Sequence, residues 1–319
     1  MDDARLAGAW RAQFVLLAAI WGSSFLFIKV LGERWPPLWV ALGRVSLGAL
    51  TLLALTFARR ERLRFERRIW LHLLVVAALA NALPFTLFAF GEQHVSSIVA
   101  GLWNATTPLW VMSAAVIVFA EERLDRTRVI GLLTGFLGVL IVLGPWHGTG
   151  HGRLIGQLAC AGAAVCYGLA WPYTRKYLAS RNESAVALAA GQLLCAATML
   201  AVAAGLVSGL PSKALGSAGI GSLLALGVLG SGVAYALNYA VIRAAGSAVA
   251  STVTYLVPVF STLLGVVVLS EPLTANQPVG AAVLIAGIAI MQGRLQLRRR
   301  RWRIRIATPI AAPKSTADK

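Results

Sequence analysis

Apolar positions along this chain neither alternate nor recur every third or fourth residue; they run together. Stretches of about 20 residues, each long enough to cross roughly 30 Å of hydrocarbon as a helix, follow one another over most of the sequence. They predict ten helices at about 12–31, 37–58, 69–90, 95–120, 128–145, 154–174, 184–208, 217–241, 246–269 and 276–293. The breaks between them are short and hold Pro, Gly or charge, as in "GERWPP", "RRERLRFERR" and "EERLDRTR". The expected fold class is an all-α polytopic membrane protein with ten transmembrane helices.

One run contains its own interruption. Between Val95 and Ala120 lies "WNATTPLW", residues 103–110. Proline has no N–H to donate, and hydrocarbon offers the freed carbonyl nothing in exchange. An ordinary lipid-facing helix has no use for that proline, nor for the Asn and two Thr beside it.

Composition agrees with the pattern. The 319 residues are 58% hydrophobic and 13% charged, where a soluble domain carries about 25% charged residues. Mean hydropathy is +0.74. The first run is longer than the apolar part of a signal peptide and no small-residue cleavage site follows it, so it reads as a span. Cys160, Cys166 and Cys195 all fall in apolar runs and read as packing residues, not as a disulfide or metal framework.

The +17 net charge is unevenly placed. With the N-terminus in the cytoplasm, the cytoplasmic side takes Arg5 and Arg11, six Arg in 59–68, three in 123–128, three Lys or Arg in 175–181, Arg243 and nine in the tail from Arg294. The opposite side holds Arg34, Arg153 and Lys213, and only Lys29 and Arg44 remain for the spans. That asymmetry puts both termini in the cytoplasm. The tail "RRRRWRIR" (298–305) follows the last span directly, which favours contact with anionic lipid over nucleic acid.

The chain also repeats itself. "SSIVAGLWNATTPLWVMSAAVIVFAEERL" from Ser96 resembles "GSAVASTVTYLVPVFSTLLGVVVLSEPL" from Gly246. Pro108 and Pro258, Glu121 and Glu271, Ser97 and Ser247 keep one offset of 150 residues. The first spans of the two halves match more weakly, "WGSSFLFIK" against "YGLAWPYTR". Two five-helix units are therefore expected, 1–147 and 154–295, with a linker at 148–153 and a basic tail at 296–319. Five is odd, so the units cross the membrane in opposite senses, as in many secondary transporters with a midplane site. Pro108 frees the carbonyl of Asn104, and Pro258 that of Thr254; Pro84 and Pro172 act likewise on Ala80 and Gly168. Such groups at membrane depth belong against protein or a wet cavity.

The motifs "WGSSFLFIK", "ALGRVSLGAL" and the duplicated blocks ending "FAEERL" and "LSEPL" resemble the EamA-type members of the drug/metabolite transporter superfamily, over roughly residues 12–293. The resemblance implies a ten-helix basket, alternating access and, in many members, export of amino acids or other small metabolites.

Charges within the spans are the sharpest pointers to cargo, since each costs about 2.5–3.5 kcal/mol at the centre of an inserted helix. Arg44 sits seven residues into the second span, about 10 Å deep at 1.5 Å per residue. It reads either as a guanidinium for a carboxylate or as a structural Arg bonded to helix-end carbonyls. Lys29 lies near the outer end of the first span, where it can reach the interface. Every Asp and Glu falls in a loop, a tail or a span end, so no buried carboxylate is expected to carry a proton or a cationic drug. The substrate-binding candidates are Trp21, Lys29, Arg44, Asn81, Trp103, Asn104, Tyr167, Trp171, Tyr235, Asn238, Tyr239, Thr254 and Tyr255, with Pro84, Pro108, Pro172 and Pro258 as helix breaks. Asn81 shares a helical face with Phe85 and Phe88, and Tyr235 with Asn238 and Tyr239. Gly131, Gly135 and Gly138 read as a close helix-packing face. His147 and His151 lie in a Gly-rich loop without metal geometry, and no cofactor is expected.

These features predict an exporter of small metabolites, amino acids or related carboxylates, in a bacterial inner membrane, acting as a monomer. The alternative is a multidrug exporter with a promiscuous aromatic cavity. A lipid-modifying enzyme would need a nucleophile or acid–base cluster, which is missing.

Overall fold

The computed structural model describes residues 2–61, 63–119, 126–143, 151–178, 183–245 and 252–291. Among these, regular structure is helical throughout, and six stretches are long and apolar enough to cross a membrane: Trp10–Gly32, Pro37–Ala58, Arg67–Gly91, Gly152–Tyr177, Ala185–Val207 and Ser217–Asn238.

The first of these stretches belongs to α1 (Asp2–Gly32) and the second is α2 (Pro37–Ala58), which opens on Pro37, where a missing N–H costs the helix nothing. The third combines α3 (Arg67–Ala77), a π-helical segment at Ala78–Ala82 and α4 (Leu83–Gly91). Pro84 sits in the first turn of α4, just after the widened π turn. A π turn of this kind re-registers the side chains that follow it, and such turns concentrate at functional sites. The fourth is α8 (His151–Tyr177), the fifth α9 (Ala185–Val207). Pro172 lies inside α8 without interrupting it, so its expected break is absent. The sixth joins α10 (Ser217–Leu224), a second π-helical segment at Ala225–Val233 and α11 (Ala234–Ala245).

The runs expected at 95–120 and 246–269 are divided, not merely kinked. Helix α5 (Ser97–Asn104) stops, and α6 (Thr107–Ile117) starts afresh with Pro108 in its first turn. The corner between them is held by Ala105 N donating to Gly101 O at 3.1 Å and Thr106 N to Trp103 O at 3.0 Å. The second case runs from a 3₁₀ turn at Thr252–Tyr255 to α12 (Val257–Val267), with Pro258 again in the first turn. The remaining apolar helices are α7 (Arg126–Leu143) and α13 (Asn276–Met291). Glu121, Ser247 and His147 lie outside the described residues.

Helices α7 and α13 meet through glycine, as the sequence predicts for Gly131, Gly135 and Gly138. A Cβ on Gly138 would strike the backbone of Leu284 and Gly280, and one on Gly131 the backbone of Gly287 and Met291. Backbones this close draw their attraction from dispersion over a bare surface. Two apolar clusters extend the packing, the second of them continuous with this contact through Val139 and Leu284. One joins α2, α3 and α9 through Val45, Leu52, Leu73 and Leu193; the other joins α5, α6, α8 and α13 through Trp103, Leu109, Ala163 and Ile288.

Candidate functional site

Polar side chains from four spans converge beside the first of those clusters. Asn81 comes from the π segment before α4 and is fully buried, at 0% exposure. Its Nδ2 donates to the Tyr235 hydroxyl at 2.9 Å, and its Oδ1 accepts from Gln192 Nε2 at 2.6 Å. Asn81 thus bridges α9 and α11 across sequence separations of 111 and 154 residues. In an apolar interior each of these groups needs a partner, and here each has one.

Arg44 of α2 lies beside this chain. Its Nε donates to Ser231 Oγ, in the second π segment, at 3.1 Å. Its guanidinium carbon stands 3.8 Å from the centroid of the Phe85 ring, a cation–π contact. Tyr167 and Tyr235 lie within electrostatic reach. Among the described residues no carboxylate forms an ion pair with Arg44, although the residue is only 7% exposed. Ser231 and Phe85 fix the plane of the guanidinium, and among the described residues no acceptor for its two terminal nitrogens is seen. A planar fork held in this way suits two oxygens of one carboxylate.

The aromatic wall continues from Tyr167 to Phe88 (centroids 6.2 Å apart) and on to Phe25 (5.4 Å from Phe88). Arg44, Asn81, Tyr167 and Tyr235 are thus brought together. Gln192 and Ser231, absent from the sequence reading, complete the group. Trp103 is buried in the second apolar cluster with its indole N–H unpartnered, and Trp21 packs at that cluster's edge. Asn104 is half-buried at the end of α5, and Thr254 is buried in the 3₁₀ turn beside the half-buried Tyr255. Asn238 is buried with an unpartnered carbonyl oxygen, and Trp171 is half-buried. The side chain of Tyr239 lies outside the described set.

A second polar group forms where α1, α4 and α12 end. Lys29 Nζ donates to the carbonyls of Glu92 (2.5 Å) and Val95 (2.8 Å), so it ties α1 to the corner between α4 and α5. Glu271, just past α12, accepts from Ser97 N and Ser97 Oγ at 2.8 Å each and from Ile98 N at 3.2 Å. A carboxylate there satisfies orphan N–H groups at the start of α5 and complements the helix dipole. Glu92 corrects the expectation that no carboxylate is buried: it is 1% exposed, and among the described residues neither carboxyl oxygen has a hydrogen-bond partner. Its place at a span end concealed this, since its side chain turns inward instead of toward water. Burial pushes the Glu92 carboxyl well above the usual carboxylate range, with Lys29 and Arg44 pulling it down and Glu271 adding to the rise. Ile28, Lys29, Gly32, Glu33, Glu92 and Gln93 line a cleft of about 270 Å³ at this end.

Comparison with known proteins places this arrangement in context. The profile of the EamA-like transporter family matches the chain twice, over residues 9–144 and 154–292. An uncharacterized transporter of Bacillus subtilis, YoaV, is 24% identical over 275 residues, covering 86% of this chain and 93% of that protein. The uncharacterized inner membrane transporter YedA of Escherichia coli K12 is 26% identical over 291 residues, 90% of each chain. One crystal structure superimposes with a TM-score of 0.63 at 22% identity, covering 89% of this chain and 96% of that one, which shows a shared fold.

Proposed function

The chain belongs to the EamA-like transporter family and is a multi-pass membrane transporter, not an enzyme; from that premise we propose that it exports small carboxylate-bearing metabolites, amino acids foremost, and that Arg44 holds the carboxylate. The observation that carries this reading is the guanidinium itself: buried, oriented by Ser231 and Phe85, and, among the described residues, paired with no acid and with no acceptor on its terminal nitrogens. A charge kept inside a membrane protein without a partner is costly, and a cargo that supplies the missing charge gives it a reason to be there. A cationic drug would instead meet like charge.

The proposed mechanism is alternating access between two inverted five-helix units, 1–147 and 154–295, with ten spans and a midplane site. Internal correspondences support it. The π segments at Ala78–Ala82 and Ala225–Val233 fall in equivalent parts of the two units. Asn81 corresponds to Ser231 and Phe85 to Tyr235 at the same offset of 150 residues, and "ALGR" ending at Arg44 corresponds to "AAGQ" ending at Gln192. The bonds follow this relation: Arg44 to Ser231, and Gln192 to Asn81, each joining one unit to the other. A site built from such mirrored bonds loosens from either face by the same motion. The expected setting is a bacterial inner membrane, both termini cytoplasmic, the basic tail on anionic lipid, the protein a monomer.

Proteoliposomes loaded with radiolabelled amino acids, dicarboxylates or a lipophilic cation test the reading. Carboxylate efflux is expected from the natural protein. In Arg44→Ala the lost charge-assisted pair, about 1.5–3 kcal/mol, lowers apparent affinity roughly ten- to hundredfold while the protein still inserts. Cation efflux alone, or undiminished carboxylate efflux by Arg44→Ala, overturns it.

A further inference from the structure

Glu92 has no part in the carboxylate site, yet it is the most unusual group in the molecule. It is 1% exposed, and among the described residues neither of its oxygens has a donor. The nearest cation does not neutralise it: Lys29 directs its ammonium to the carbonyls of Glu92 and Val95. The other charges around it are few. Arg44 on α2 acts on it from the polar network, and Glu271 beyond α12 places a second negative charge nearby, itself committed to Ser97 and Ile98. From α8 the neighbour is the Cys160 thiol, and from the end of α1 it is the exposed Glu33, which lines the same cleft. His94, two residues along its own segment, is exposed.

A carboxylate without donors among the described residues, buried and beside another carboxylate, is costly to charge; the neutral acid fits without that cost. The cleft bordered by Lys29, Glu33 and Glu92 reaches it from the end of the bundle. Any parting of α1 from the α4–α5 corner must break the Lys29 bonds and bring water to Glu92. We propose that Glu92 is a proton-binding site, loaded in the closed arrangement seen here and emptied when this end opens, so that each cycle of the transporter carries a proton. The proton comes from bulk water and returns to bulk water; no covalent bond beyond the O–H is made or broken. Ionised, Glu92 repels Glu271 and favours the open arrangement, so rising pH shifts the balance toward opening at this end. The coupling half of this inference rests on the transport reading above, whereas the proton site stands on the geometry alone.

Infrared spectra of the protein in lipid nanodiscs, taken from mildly acidic to mildly alkaline pH, test the site without any substrate. The natural protein should show the C=O stretch of a protonated carboxyl at neutral pH. The band should vanish in Glu92→Gln, shift in Glu92→Asp and persist in Glu33→Gln. No such band, or one unchanged in both Glu92 variants, overturns the proposal. The Asp variant decides the matter should the Gln variant fail to insert. For coupling, proteoliposomes enclosing a pH-sensitive dye receive a mixture of labelled amino acids. Uptake with a lumenal pH change in the natural protein, and uptake without one in Glu92→Gln, supports coupling; uptake without a pH change in the natural protein overturns it. Absence of uptake speaks against the cargo reading, and the infrared band then decides the proton site by itself.

Discussion

Two helix contacts in this molecule are built on opposite terms. Where α7 meets α13, glycines on both sides bring backbone against backbone, and the polar contribution is confined to one end, where Asn276 Nδ2 donates to the carbonyls of Ile141 and Val142. Where α2, α9, α11 and the two π segments meet, the contact consists of Arg44, Asn81, Gln192, Ser231 and Tyr235, each dependent on another. The first contact is insensitive to charge and intolerant of volume. The second tolerates rearrangement, since hydrogen bonds can be exchanged for bonds to cargo or water at little net cost. Both contacts join one proposed unit to the other; in the proposed rocking motion the glycine contact would stay closed as the pivot while the polar contact parts.

The contrast predicts how each contact fails. Gly138→Val should be the most damaging substitution: its side chain meets the backbone of Leu284 and Gly280, which cannot step aside. A loss of about 3 kcal/mol or more is expected, seen as aggregation in detergent or a large drop in Tm; a normal Tm would mean that α7 and α13 separate easily. Arg44→Met should act in the reverse direction. It removes a desolvated charge with no acid partner among the described residues, so stability should hold or rise, by up to about 1–4 kcal/mol, read as an unchanged or higher Tm, while carboxylate transport is lost. A marked fall in Tm would make Arg44 a structural residue. Gln192→Leu should have the smallest effect, about 1 kcal/mol, because it leaves one acceptor of Asn81 unpaired among several surviving bonds. A loss as large as that of Gly138→Val would erase the distinction between the two contacts.

Local chemistry in the sequence foretold much of this. Apolar run length marked the helices, and Pro108 and Pro258 marked the two divided runs, because proline's missing donor acts on its own helix wherever that helix packs. The glycine spacing at 131, 135 and 138 marked a packing face for the same local reason. Arg44 stood out by its cost alone. Gln192 did not, although it is a lone amide in the Ala- and Leu-rich run of α9, and that isolation was the signal to read. The π segments carry no spacing signature, and the partners of Lys29, Ser231 and Glu271 are 63 to 187 residues distant, so tertiary packing alone selects them. Glu92 was misjudged because position at a span end was equated with exposure, whereas its burial comes from residues distant in sequence, Lys29 of α1 and Cys160 of α8 among its neighbours.

The most direct test is an experimental structure of the protein in lipid with its transported substrate bound. The account predicts a cargo carboxylate within hydrogen-bond distance of the terminal nitrogens of Arg44, over the ring of Phe85. Cargo whose carboxylate lies elsewhere, with Arg44 still bonded only to Ser231, would contradict it.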